Sequence, residues 1–217
     1  MTERRDEIVR IAGDQFARKG FASTTVREIA DEAGILSGSL YHHFDSKEAI
    51  AEEILADYYD GMADRFRKIV DEAATPLDAL TELTRTAYRG IAEQPSAVAL
   101  IDNSSDQLLN LPRFVHIVAM ADELKQIWIR VIRKGIRQGY FRSSADARLV
   151  YTFIRDAMWV TARWWRPDGR YTIDEVADHF IDAMLYGVVD QAYRKPPRSS
   201  ARPRASARKG TKAASTR

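Results

Sequence analysis

Apolar residues recur at three- and four-residue steps along almost the whole chain, and they rarely alternate as a half-buried strand requires. That period restricts the chain to helices packed on helices. Breaks fall at Gly20, Gly34, Pro76, Pro95, Pro112, Gly139 and the Pro167-Asp168-Gly169 turn. Helix-start chemistry accompanies several of them. Thr24 reads as a cap four residues before Glu28, Ser46 precedes Lys47-Glu48, and Thr75-Pro76 places proline at a first helical position. The pattern predicts an all-α chain of about nine helices. Three short ones fill residues 3–44, and a long connector covers 46–72. The others are expected at 76–93, 95–110, 113–138, 145–166 and 172–193.

Composition excludes several classes. Without cysteine there is no disulfide scaffold and no Cys-based metal or nucleophile site. No run of about 18 apolar residues is present to span a membrane, and the opening MTERRDEIVRIAGDQF has no signal-peptide core. A cytoplasmic protein is expected. The net charge of +2 is unevenly spread. Nine of the 33 Lys and Arg lie between Arg194 and Arg217 with no acid among them, leaving 24 basic against 31 acidic residues, a net −7, in the preceding 193. Residues 195–217 hold no large apolar side chain and are expected to be disordered. Such a basic tail either keeps the chain in solution or adds salt-dependent affinity for phosphates.

Thr24 to Phe44 has the chemistry of two short helices packed across a tight turn. Val26, Ile29 and Ala33 give the first helix an apolar face, and Ala30 is small enough for the second to approach. Gly34 can take the left-handed conformation of a sharp turn. Ile35, Leu40 and Phe44 return to the core. That leaves Ser37, Gly38, Ser39, Tyr41, His42 and His43 outward. Small residues near a helix start permit close approach to a groove floor, and Tyr and His reach phosphates or base edges. Lys47, with the amides of its helix end, and Thr25 are candidates for phosphate contacts. Any three-helix corner could present this pattern, and two adjacent histidines without a third ligand nearby do not argue for a metal.

The run FARKGFASTTVREIADEAGILSGSLYHHFDSKE, Phe16 to Glu48, closely resembles the TetR-family DNA-binding domain. One departure is Leu36, where a small hydroxyl residue is common. The resemblance implies a homodimer whose recognition helices enter successive major grooves of a palindromic operator, and an effector pocket that controls their spacing. It divides the chain into a three-helix helix-turn-helix domain at 1–45, a helical effector-binding and dimerisation domain at 46–194, and the tail at 195–217.

In the second domain, Phe114, Ile117, Ala121, Leu124, Trp128, Val131 and Gly135 mark a helix buried along one seam. In a TetR-like domain such a seam also lines the effector cavity. Farther on, Phe153, Ala157, Val160 and Trp164 read as a core stripe, and Tyr151, Arg155, Trp159 and Arg163 as a second stripe. Arginine in an aromatic stretch needs an anionic partner. Either Asp156 or another acid supplies it, within the protomer or across a dimer, or the stripe clamps an anionic, partly flat ligand. Arg155, Trp159, Trp128, Tyr151 and Arg163 are the candidate ligand residues. Val176, Phe180 and Met184, with small Ala183 and Gly187, suit a last helix that joins its predecessor in a two-fold, four-helix interface.

The segments Gly139-Tyr-Phe-Arg, Leu149 to Trp164 and Arg166-Pro-x-Gly are similar to one TetR subgroup, the actinobacterial repressors of late, ring C/D cholesterol catabolism. Agreement is weaker over about 76–111. The resemblance implies release from DNA by a coenzyme A thioester of the partly degraded steroid nucleus, with Arg155 and Trp159 matching a thioester-binding arginine and tryptophan. Another hydrophobic effector (a fatty acyl-CoA, a drug or a plain steroid) and a constitutive DNA binder are the alternatives. An enzyme is not expected. His42, His43, His116 and His179 are scattered, and no phosphate loop or dinucleotide fingerprint occurs. Neither a cofactor nor a metal is expected.

Overall fold

The computed structural model describes residues 2–187, with side chains placed for 3–102 and 108–187. Among the described residues there are nine α-helices, a single 3-10 turn at Pro112–Phe114, and no strand. They are α1 Thr2–Lys19, α2 Val26–Glu32, α3 Ser37–Leu40, α4 Lys47–Glu72, α5 Pro76–Glu93, α6 Pro95–Leu108, α7 Val115–Arg137, α8 Ala147–Trp164 and α9 Ile173–Leu185.

Short side chains start most of these helices by accepting from free backbone N–H groups. The Ser46 hydroxyl accepts from Ala49 N, and the Thr75 hydroxyl from Asp78 N ahead of Pro76. The Asp146 carboxylate accepts from Leu149 N and Arg148 N, and those bonds hold its pKa below the usual range. Thr172 and Glu175 form a reciprocal capping box on α9. The cap of α2 differs from expectation. It is Thr25, boxed with Glu28, whereas Thr24 is fully buried and donates its hydroxyl to Gly20 O at 3.0 Å. Two lengths differ as well. Helix α1 runs for 18 residues and is not short. Helix α9 stops at Leu185 because Gly187 takes φ +76, so this glycine ends the helix and does not pack it closely. The rest of the expected last helix, 188–193, and the basic tail lie outside the described residues.

One continuous core runs from Ile8 and Phe16 of α1, through Leu40, Phe44, Ile50, Leu55 and Phe66, to Phe114, Trp128 and Ile154. Helix α4 is its axis. At about 1.5 Å per residue, its 26 residues span about 39 Å. The first turns pack on α1, and the helix packs on α5, α6 and α7 farther along. The seam expected on α7 is buried from Phe114 through Ile117, Leu124, Trp128 and Val131 to Gly135.

Helix α8 corrects the sequence reading. Phe153, Val160 and Trp164 are not core residues. They are 66%, 55% and 52% exposed, in line with Leu149. The face turned inward carries Ala147, Val150, Tyr151, Ile154, Met158 and Thr161. Both faces have helical spacing and apolar residues, so the period alone could not choose between them.

Candidate functional site

Helices α2 and α3 meet at Gly34, φ +66, through a Schellman motif: Ile35 N donates to Ala30 O at 3.0 Å and Gly34 N to Asp31 O at 3.1 Å. Ile29, Ala30 and Leu40 are completely buried beneath it. The start of α2 is held electrostatically. Lys19 Nζ donates to Glu28 Oε1 at 2.8 Å, and Thr25 donates its backbone N–H and hydroxyl to the same carboxylate. These bonds, that of Lys19 foremost, hold the Glu28 pKa down to about 2. Helix α1 is tied in by Gln15 Nε2, which donates to Glu28 O and Glu32 Oε2, and by Arg4, which donates to Ala33 O.

The outward edge of this rigid corner carries Leu36, Gly38, Tyr41 and His42, all exposed, with Ser37 and Ser39 half-buried between them. Thr25 is also exposed, but its hydroxyl already accepts from Glu28 N and donates to the Glu28 carboxylate. Lys47 is not free to hold a phosphate by its amine. Its Nζ donates to Phe21 O at 2.9 Å, Ala22 O at 3.3 Å and Thr24 O at 2.9 Å, and lies 4.5 Å from the centre of the Phe21 ring. Three N–H donors meet three carbonyls, so Lys47 fastens the α1–α2 loop to the start of α4. Lys47→Ala is therefore expected to lower stability by about 2–3 kcal/mol, since hydrogen bonds from a charged donor are lost. Urea unfolding checks this. A residue that only touched phosphate would leave the unfolding midpoint unchanged.

Four of the five candidate ligand residues come together. Trp128, Tyr151, Arg155 and Trp159 line an open cavity of about 350 Å³; Tyr58, Tyr59, Met62 and Phe66 of α4 form one wall, and Asp122 and Lys125 of α7 also border it. Trp128 stands edge-on to Phe66 at 5.6 Å between ring centres and lies 6.3 Å from Tyr151. Burial pushes the Tyr58 hydroxyl up to about 12 and Tyr59 higher still, so both phenols stay neutral. Arg155 is half-buried, 5.9 Å from the Tyr151 ring centre, and donates Nε and Nη2 to Asp156 Oδ1 at 2.9 and 2.8 Å. The intramolecular partner weighed from the sequence is therefore present. It is solvent-exposed and weakly held.

Arg163 is elsewhere. It donates to the carboxylate of Asp102, Nη2 to Oδ1 at 2.9 Å, in a separate cleft beside Ile91, Val98 and Trp165. The reason is geometric. Each four-residue step overshoots the 3.6-residue turn by about 40°, so residue 163 points about 120° away from residue 151. The sequence reading missed the wall from α4. The signal was present, since Tyr58, Met62 and Phe66 recur at four-residue steps in the helix read only as a connector.

The cavity and the helix-turn-helix share α4, and a second link runs beside it. Arg113 donates to Asp45 Oδ2 at 2.6 Å, in the loop after α3, and to Glu52 Oε2 at 2.8 Å on α4. Among the described residues no cluster of three or more His, Asp or Glu could hold a metal ion, and no helix is long and apolar enough to cross a membrane.

Residues 8–54 match the tetR family of bacterial regulatory proteins, and residues 73–188 match the tetracyclin repressor-like C-terminal domain. The chain is similar to the HTH-type transcriptional repressor KstR2 of Mycolicibacterium smegmatis, 40% identical over 85% of this chain and 90% of that one. It is also similar to KstR2 of Rhodococcus jostii, 41% identical over 85% and 91%. The solved structure of the ketosteroid transcriptional regulator KstR2 of Mycobacterium tuberculosis superposes with a TM-score of 0.81 at 40% identity, over 87% of this chain and 96% of that one. The family is one of regulators, not enzymes. With a Schellman-turned recognition corner at one end of α4 and an aromatic cavity along it, the chain belongs to the tetR family and is a TetR-type transcriptional repressor.

Proposed function

We propose that this repressor is released from a palindromic operator by a coenzyme A thioester of a steroid-ring degradation intermediate. The observation that carries the reading is the convergence of Arg155 and Trp159, one helical turn apart, on an apolar cavity whose far wall is α4. A volume of about 350 Å³ is at the low end for ligand sites. It suits the alicyclic acyl group, while the carrier extends past the half-exposed guanidinium. Phosphates suit that guanidinium, adenine suits the indole, and neutral Tyr58 and Tyr59 suit ring ketones. A relative named a ketosteroid transcriptional regulator, similar over most of the chain, agrees with this chemistry.

Tyr41 and His42 contact phosphates in this reading, with Ser37, Gly38 and Ser39 nearest the bases and Thr25 at the flank. Two chains pair through α8 and α9, where Leu149, Phe153, Val160 and Trp164 await a partner. Recognition helices must then sit about 34–36 Å apart to meet successive major grooves. A ligand that displaces the α4 wall changes that separation, with Arg113 carrying the movement to the loop after α3. It shifts the equilibrium only by its differential affinity for the two states.

Operator binding titrated with the thioester and with its free acid tests the effector. The thioester is expected to release DNA and the acid to do so poorly. The Arg155–Asp156 pair favours a second reading, a neutral hydrophobic effector that leaves the pair intact. Equal responses to acid and thioester would overturn the first reading, and release by an uncharged steroid would support the second.

A further inference from the structure

We infer that Leu36 is a specificity-determining residue that reads a thymine through its 5-methyl group. The inference rests on α3 entering the major groove, as proposed above. Leu36 is the N-cap residue of α3, and its side chain is 79% exposed, the most of any large hydrophobic residue described. No side chain caps α3, whereas Thr25, Ser46, Thr75, Asp146 and Thr172 cap α2, α4, α5, α8 and α9. A leucine here forgoes the cap that serine or threonine would supply. It also buries almost nothing in the free chain. Both losses are offset if the side chain is buried in the complex with DNA.

Its neighbours leave it the reach. Gly38 has no side chain, and Ser37 and Ser39 are short and half-buried, so the leading end of α3 can come close to the groove floor. Leu36 is then the long apolar side chain at that end. On the major-groove edges the distinctive apolar group is the thymine methyl, which an aliphatic side chain contacts and which separates thymine from cytosine.

The test uses the full chain and an operator recovered by selection from random double-stranded DNA. Each thymine is replaced in turn by deoxyuridine, which removes only the methyl. At one thymine in each half-site the native protein is expected to lose about fourfold in affinity, the equivalent of one buried carbon. Leu36→Ser is expected to lose nothing at that thymine, while its unfolding midpoint rises because serine caps α3. Leu36→Met is expected to keep the native sensitivity. The same loss in native protein and Leu36→Ser at every thymine, or no loss in the native protein at any, would overturn the inference. Failure to recover any operator would overturn instead the DNA-binding reading beneath it.

Discussion

Arg155→Ala is expected to abolish the response to the coenzyme A thioester while leaving operator affinity within about twofold, because only a weak surface pair is lost in the free protein. The guanidinium is half-exposed, and its Nε and Nη2 both donate to one carboxylate oxygen of Asp156. In the proposed complex the same guanidinium would face an anion at the mouth of the cavity. Removing one member of such a desolvated pair costs about 2–5 kcal/mol, roughly thirtyfold to several thousandfold in affinity. Arg155→Lys should not restore it, since an ammonium lacks the planar fork that grips phosphate or carboxylate. Titration of operator-bound protein, followed by anisotropy, gives release directly. Fluorescence of Trp128, 2% exposed in the cavity wall, reports binding apart from release. A normal response in Arg155→Ala would remove the guanidinium from the effector site.

Phe153→Asp should convert the protein to a folded monomer. Phe153 is the most exposed aromatic of α8 and lies in an apolar groove with Leu149, Phe141, Met184 and Leu185. On a two-fold axis each substitution acts twice. Losing about 2–3 kcal/mol of apolar burial from each side weakens pairing by at least about 4 kcal/mol, roughly a thousandfold, before any cost of burying two carboxylates. Affinity for a palindrome falls with it, because one recognition helix replaces two. The monomer should keep its helical content, since two-thirds of this side chain already faces solvent, while its unfolding midpoint falls by the stabilisation that pairing lends the native chain. Sedimentation and circular dichroism separate loss of pairing from loss of fold. Undiminished dimerisation in Phe153→Asp would move the interface away from this stripe.

The α8 stripe also marks the boundary between local and tertiary information. Local chemistry determined that α2 turns into α3 at Gly34, because a Schellman motif needs only the residues within it. The start of α5 was equally legible in Thr75-Pro76, and so was the buried seam of α7, whose other faces are charged. The α2 cap was misplaced by one residue, since Thr24 and Thr25 are alike in sequence and only packing buries the first. Lys47 could not be read locally, because the carbonyls that hold its amine lie more than 20 residues earlier. Arg163 left the cavity because α8 keeps turning while the sequence stripe looks straight. By itself, then, the sequence determined the helices, their turns and the family of the recognition corner, all of which depend on neighbours along the chain. Only the tertiary structure decided which apolar face of α8 turned inward, which cations became structural ties, and that α4 supplies the far wall of the cavity. Those outcomes depend on groups brought together across the chain, where burial and the number of available acceptors, not periodicity, choose among equivalent faces.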